Sequence, residues 1–362
     1  MNHKLVIKIF GLLLILIGIS MLPAILFGIY YREFDTYSLL YSLIICVSMG
    51  GIMFFLYYKE NSKLYALDAF FIVGFGWIII GAFGALPYIL SGVLPNFFDA
   101  FFETISGFTT TGASVLTDIE SVSKSILFWR SFTHWLGGMG IIVLFVALFP
   151  FLGVGGKNLI NFESPGPIKS GLKPRVVDTA RYLWYIYFGL TIIETILLMF
   201  GGMNFYNASC HTFGTMATGG FSTLNKSIAG FQSRYIDAVI TIFMILAGVN
   251  FSLYYFAIIS DFKNIFSVFF KDIEFKIYIS IIIISTFIIG ANIYINKLYP
   301  TVLSSLRYSA FQVVSIMTTT GYATADFNQW SPFCKLILLT LMFIGGCAGS
   351  TGGGMKVIRI II

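Results

Sequence analysis

Three short clusters of threonine and glycine break an otherwise apolar chain at near-equal intervals. They read "TTTGAS" at 109–114, "MATGGFST" at 216–223 and "MTTTGYAT" at 317–324. Aligned on Gly112, Gly220 and Gly321, they stand 108 and 101 residues apart. The semi-apolar segments before them, near 97–110, 205–218 and 302–319, run to about 13 to 18 residues, whereas a helix needs about 20 to cross a bilayer. Each cluster also has a full-length apolar run before and after it. The chain therefore repeats one unit of span, half-helix, Thr/Gly loop and span, three times.

Composition sets the solvent. Of 362 residues, 57% are hydrophobic and 10% charged, against roughly 25% charged in soluble domains. Apolar runs at 6–30, 37–58, 67–91, 126–151, 181–202, 235–260, 276–298 and 333–362 predict an all-α polytopic membrane protein. The expected division is a two-span preface (1–63), a first pore repeat (64–155) and a cytoplasmic connector (156–177). A second repeat (178–262) and a third (263–362) follow. The stretch 261–276 mixes charge with aromatics and suits the inner interface.

The formal charge of +6 has no clustered basic stripe behind it, which argues against nucleic acid. Lys4, Lys8, Lys59, Lys63, Lys157, Lys169, Lys173, Arg175, Arg181, Lys263, Lys271, Lys276, Lys356 and Arg359 fall on one side when the N-terminus is cytoplasmic. The other eight of the 22 basic residues fall outside or near the outer interface, so the positive-inside rule favours that orientation. The Thr/Gly loops then open from the outer side. Ile9 to about Tyr30 is too long for a signal h-region and reads as a retained span.

Cys46, Cys210, Cys334 and Cys347 are scattered with no CxxC spacing, so neither zinc nor a disulfide framework is indicated. His3, His134 and His211 have no helical metal-ligand spacing, and His211 reads as a hydrogen-bonded structural residue. His134, Glu194 and Glu103 lie in three different segments and form no visible catalytic constellation.

An ion crossing a bilayer must have its hydration shell replaced, and backbone carbonyls and threonine hydroxyls supply uncharged oxygens. Glycine permits the positive-φ turns that aim several carbonyls together. A half-helix ending at such a loop points its negative end at the cavity, which favours a cation. Small residues also serve ordinary helix packing; three clusters at one period favour a pore instead. The absence of carboxylates in the clusters points to monovalent cations rather than calcium. Glu103, just before the first loop, either anchors that loop or meets the ion. A further interruption, "GGCAGSTGGGMK" at 345–356, cannot hold a straight helix. It lacks the Gly-Lys-Ser/Thr of a phosphate loop. It reads as a flexible intramembrane gate, or as a kinked helix packed closely on a neighbour.

"FFETISGFTTTGAS", "FTHWLGGMGIIVL", "ESPGPIK", "KPRVVDTARYLWYIYFGLT", "HTFGTMATGGFST", "MTTTGYATADF" and "GGCAGSTGGGMKVIR" together resemble the superfamily of bacterial Trk and Ktr potassium uptake subunits and their plant and fungal relatives, the Trk type more closely. The resemblance covers essentially the whole chain and implies potassium as the bound ion, with no organic cofactor. It places ion coordination on Thr110, Thr111, Gly112 and Ala113, on Thr218, Gly219, Gly220 and Phe221, and on Thr319, Thr320, Gly321 and Tyr322. It makes Gly345, Gly346, Cys347, Ala348, Gly349, Ser350, Thr351, Gly352, Gly353 and Gly354 the gate loop. It further implies a homodimer, a cytosolic nucleotide-binding regulatory subunit and an inner (plasma) membrane location. The family has four repeats around a pseudo-fourfold pore. Three are found here, so the expectation is a truncated product or fragment, or a split protein. The functions implied are potassium uptake, channel-like or ion-coupled, or a truncated non-conducting subunit that only dimerises or holds regulatory partners.

Overall fold

A backbone in lipid must satisfy its own polar groups, and apolar runs of this length do so as helices. The computed structural model describes residues 2–60, 65–138, 140, 176–259 and 265–362. Their only β-type pairing is an isolated bridge between Ile344 and Met355. They divide into two compact units, the first holding the described residues up to 140 and 176–181, the second those from Tyr182 onward.

The first unit comprises α1 (His3–Ser20), α2 (Leu22–Tyr31), α3 (Thr36–Leu56), α4 (Ala66–Gly84), α5 (Leu86–Ser91), α6 (Phe97–Phe108) and α7 (Lys124–Gly138). The expected spans 6–30 and 67–91 are each two helices, broken at Met21 and Ala85. Pro23 and Pro87 stand in the first turns of α2 and α5, where a missing N–H costs least. Helices α1 and α3 approach closely through glycines: a Cβ on Gly11 would lie 2.7 Å from Gly50 O, and one on Gly50 2.6 Å from Gly11 O. The Glu33 carboxylate caps α7, accepting from the N–H groups of Lys124 (2.9 Å) and Ser125 (2.8 Å).

The second unit comprises α8 (Val176–Phe200) from Tyr182 on, α9 (Phe205–Met216), α10 (Arg234–Ala247), α11 (Phe251–Ile259), α12 (Ile265–Lys271), α13 (Ile273–Ile295), α14 (Val302–Met317), α15 (Pro332–Phe343) and α16 (Val357–Ile361). The expected continuous span 235–260 is instead α10 and α11, bent by 89°. The break falls at Gly248–Asn250, where a Cβ on Gly248 would lie 2.3 Å from the Tyr278 hydroxyl. Asn250 Oδ1 then accepts from Ser252 N (2.9 Å) and restarts the helix. Asp272 divides the stretch 261–276 in the same way, its side chain capping α13 through Phe275 N (2.7 Å).

Among the described residues, five helices are long and apolar enough to cross a membrane, or six if α10 and α11 count as one bent span. Two further expected spans account for the difference from eight. The run 126–151 begins as α7, but residue 139 and residues 141–151 lie outside the described residues. The run 333–362 is the 12-residue α15, a non-helical segment and the short α16. Residues 156–175 of the expected connector also lie outside the described residues. The three expected half-helices are α6, α9 and α14, of 12, 12 and 16 residues.

Candidate ion-coordinating site

Each half-helix ends in the same manner. Thr110, Thr218 and Thr319 adopt left-handed backbone, with φ of 54°, 53° and 60°. Two residues later, Gly112, Gly220 and Gly321 do so again, with φ of 76°, 79° and 83°. Left-handed backbone is common for glycine, but a β-branched residue there is strained.

The turn at each end is a Schellman cap. Thr110 N donates to Gly107 O (3.1 Å) and Thr111 N to Ser106 O (2.9 Å). Thr218 N donates to Thr215 O (3.0 Å) and Gly219 N to Gly214 O (2.8 Å). Thr319 N donates to Ile316 O (3.0 Å) and Thr320 N to Ser315 O (2.9 Å). These N–H groups are committed to helix carbonyls, so the loops are not anion cradles. A backbone alternating in hand can present successive carbonyls on its other side, and the negative helix end lies behind them.

The hydroxyls follow the same logic. Thr109 Oγ1 donates to Ile105 O (2.7 Å), so its 2.8 Å bond with Thr111 Oγ1 is donated by Thr111. Thr318 Oγ1 donates to Val314 O (2.7 Å), so Thr320 donates to Thr318 at 2.8 Å. The protons of Thr111 and Thr320 thus point back toward the helix ends, leaving oxygen lone pairs as acceptors. The second loop has Ala217 and Gly219 at these places and offers no such hydroxyls.

The loop glycines have different local reasons. A Cβ on Gly220 would sit 1.9 Å from Thr320 O, so glycine there lets the second and third loops meet. A Cβ on Gly321 would meet nothing within 4 Å, so only its positive φ calls for glycine.

The glycine-rich segment is neither a kinked helix nor loosely held. Gly345 N donates to Met355 O (2.8 Å), which closes the loop at its base. The bend between α10 and α11 receives it: Cys347 N donates to Gly248 O (2.8 Å), and Phe251 N donates to Gly349 O (3.0 Å). Glu274 Oε1 accepts from Ala348 N (2.7 Å) and Ile358 N (3.0 Å). Lys356 Nζ donates to Gly352 O. Gly353 N donates to Thr319 Oγ1 (2.8 Å), so the segment touches the third loop directly.

The model of the cation transport protein family TrkH matches residues 37–362. This chain belongs to that family. It is 40% identical over 365 residues to "Trk system potassium uptake protein TrkH" of Salmonella typhimurium, covering 100% of this chain and 75% of that protein. It is 34% identical to "Trk system potassium uptake protein TrkG" of Escherichia coli K12, covering 97% and 72%. The crystal structure of the potassium transporter TrkH from Vibrio parahaemolyticus matches with a TM-score of 0.87 at 37% identity, over 100% of this chain and 74% of that one. The chain is thus a polytopic member of a transporter family, not an enzyme.

Within this TrkH-type fold an anchor recurs nine residues before each of the three loop glycines; sequence reasoning offered Glu103 as an anchor and His211 as a hydrogen-bonded residue, but missed Gln312 and the recurrence. Glu103 accepts from Ser114 Oγ (2.9 Å) and Val115 N (2.9 Å) and pairs with Arg130 Nε at 2.6 Å. It therefore braces the first loop. His211 Nδ1 faces Asn207 O at 2.7 Å, an acceptor only, so Nδ1 donates and Nε2 accepts from Ser222 Oγ (3.0 Å). Gln312 Nε2 donates to Ala325 O (3.2 Å). The common spacing from Gly112, Gly220 and Gly321 is the signal that could have found them.

Proposed function

We propose that this protein carries potassium across the cell's inner membrane, with the three Thr/Gly loops as its ion-coordinating strands and residues 345–354 as its gate. The observation that carries the reading is the shared alternation of left-handed threonine and left-handed glycine at the negative end of each half-helix. Potassium is the substrate because the similar proteins are Trk system potassium uptake proteins and no carboxylate stands in the clusters to favour a divalent ion. The gate reading is supported by the segment's contact with Thr319 and its seat in the α10–α11 bend.

In this reading the basic residues set the N-terminus in the cytoplasm. The chain pairs with a second copy and takes its regulation from a cytosolic nucleotide-binding subunit. Residues 1–63 serve as a preface to pore repeats 64–155, 178–262 and 263–362.

The test is rubidium uptake by cells lacking their own potassium uptake systems, expressing this chain, with its membrane level measured alongside. Uptake above the empty-vector background is the expected result. No uptake from a well-inserted chain would overturn transport by this chain and leave a non-conducting subunit.

A further inference from the structure

The second loop lacks a part that the other two possess, and the third loop supplies a substitute. Six residues before Gly112 stands Ser106, whose Oγ donates to Ala113 O at 2.5 Å. Six before Gly321 stands Ser315, whose Oγ donates to Tyr322 O at 2.7 Å. In both, a buried helix hydroxyl holds the carbonyl of the residue just after the filter glycine. Six before Gly220 stands Gly214, which has no hydroxyl to offer Phe221 O.

The Tyr322 hydroxyl fills that place. It lies 3.0 Å from Phe221 O and 3.0 Å from His211 O. Both carbonyls lie within reach of the tyrosine proton, and Phe221 O is the one that belongs to the second loop. The tyrosine is 1% exposed and its ring lies against the His211 ring, 6.0 Å between centroids. A Cβ on Gly214 would lie 2.2 Å from Tyr322 Oη and 3.0 Å from Phe221 O. Glycine at 214 is therefore the vacancy that admits the tyrosine, and a serine there would occupy the position from which its counterparts act.

We propose that Tyr322 is a positioning residue for the second filter loop, its hydroxyl holding Phe221 O in place of the serine absent at Gly214. The two loops are thereby coupled: Ser315 sets the Tyr322 backbone, and the Tyr322 side chain sets the Phe221 carbonyl. A disturbance of the third strand then reaches the second, whereas the first holds its own carbonyl through Ser106. The proposal rests on the filter reading above.

The test measures potassium-specific thermal protection of the purified full chain in detergent, titrating potassium chloride against sodium chloride at fixed ionic strength. Tyr322→Phe is expected to raise the potassium concentration for half-maximal protection about tenfold, the size of effect one buried hydrogen bond supports. Gly214→Ser alone, forced against the tyrosine, is expected to lose protection. The pair Gly214→Ser with Tyr322→Phe recreates the arrangement of the other loops and should return the midpoint to within about twofold of the parent. The pair Gly214→Ala with Tyr322→Phe fills the same space without a hydroxyl and should not.

A parent chain with no potassium-specific protection would sink the filter reading and this proposal with it. A protected parent whose Tyr322→Phe variant is unchanged, or is rescued as well by alanine as by serine, would overturn the proposal alone. Should Tyr322→Phe fail to insert, recovery of folded protein by the serine pair but not the alanine pair supports the proposal. Recovery by both, or by neither, refutes it.

Discussion

The backbone N–H of Gly353 donates to the hydroxyl of Thr319 at 2.8 Å. One strained threonine thus ties the third Thr/Gly loop to the glycine-rich segment. Thr319→Val keeps the branched shape and removes the acceptor, at about 1 kcal/mol for one hydrogen bond. If the segment is a gate, its closed position weakens, and rubidium uptake should rise severalfold at unchanged membrane level. Deleting 346–353 should raise leak further. Unchanged or lower flux in both would assign the segment a packing role.

Glu274 fastens the same segment with one oxygen shared between Ala348 N and Ile358 N. Glu274→Ala leaves both donors without it and should lower stability by roughly 2–3 kcal/mol, by the usual worth of hydrogen bonds to a charged group. Glu274→Gln keeps a carbonyl oxygen and should lose less than half of that. Thermal unfolding in detergent, with protease cleavage within 345–356 as a local readout, compares the two. Equal losses would mean that charge, not hydrogen bonding, holds the loop.

Gly220 and Gly321 occupy equivalent places but should not respond alike. An alanine at Gly321 meets open space and faces only the left-handed penalty, about 1–2 kcal/mol. An alanine at Gly220 also collides with Thr320 O. Gly321→Ala should therefore keep measurable rubidium uptake, while Gly220→Ala falls to background and Gly220→Asp abolishes conduction with insertion intact. Wild-type flux in Gly220→Asp would remove that residue from the ion path.

The Glu103–Arg130 pair is buried, at 0% and 2% exposure. Glu103→Gln removes the carboxylate from beside the guanidinium, which typically costs roughly 3–5 kcal/mol. The variant should insert poorly or unfold at markedly lower temperature. A variant as stable as the parent would show that the loop bonds alone, from Ser114 and Val115, account for this residue.

Much of this was legible in the sequence because the half-helices end in local chemistry. The clusters at 109–114, 216–223 and 317–324 mark the stops: α6 ends one residue before the first, and α9 and α14 end on the first residue of theirs. The 89° bend at Gly248 was not legible. "GVN" inside an apolar run has the hydropathy of a continuing span, and what calls for glycine at the break is Tyr278, thirty residues away. Met21 and Ala85 break their spans for the nearer reason of Pro23 and Pro87, which apolar length alone does not register. Glu103 and His211 could be read singly, but with Gln312 they share a position and no chemistry, so no motif of residue types exposes their recurrence. Gly214 and Tyr322 form a pair only in three dimensions.

The threonines at 110, 218 and 319 stand where a glycine would be about 1–2 kcal/mol more comfortable. A glycine would also make each strand supple, with a broad basin of backbone shapes that could shrink around a small ion or swell around a large one. Where the loops line the ion path, as proposed above, a branched side chain would narrow that basin and keep the oxygens at nearly one radius. The discomfort is thus a form of calibration: replacing all three with glycine should give a sturdier protein that admits more sodium, read as the sodium-to-rubidium uptake ratio.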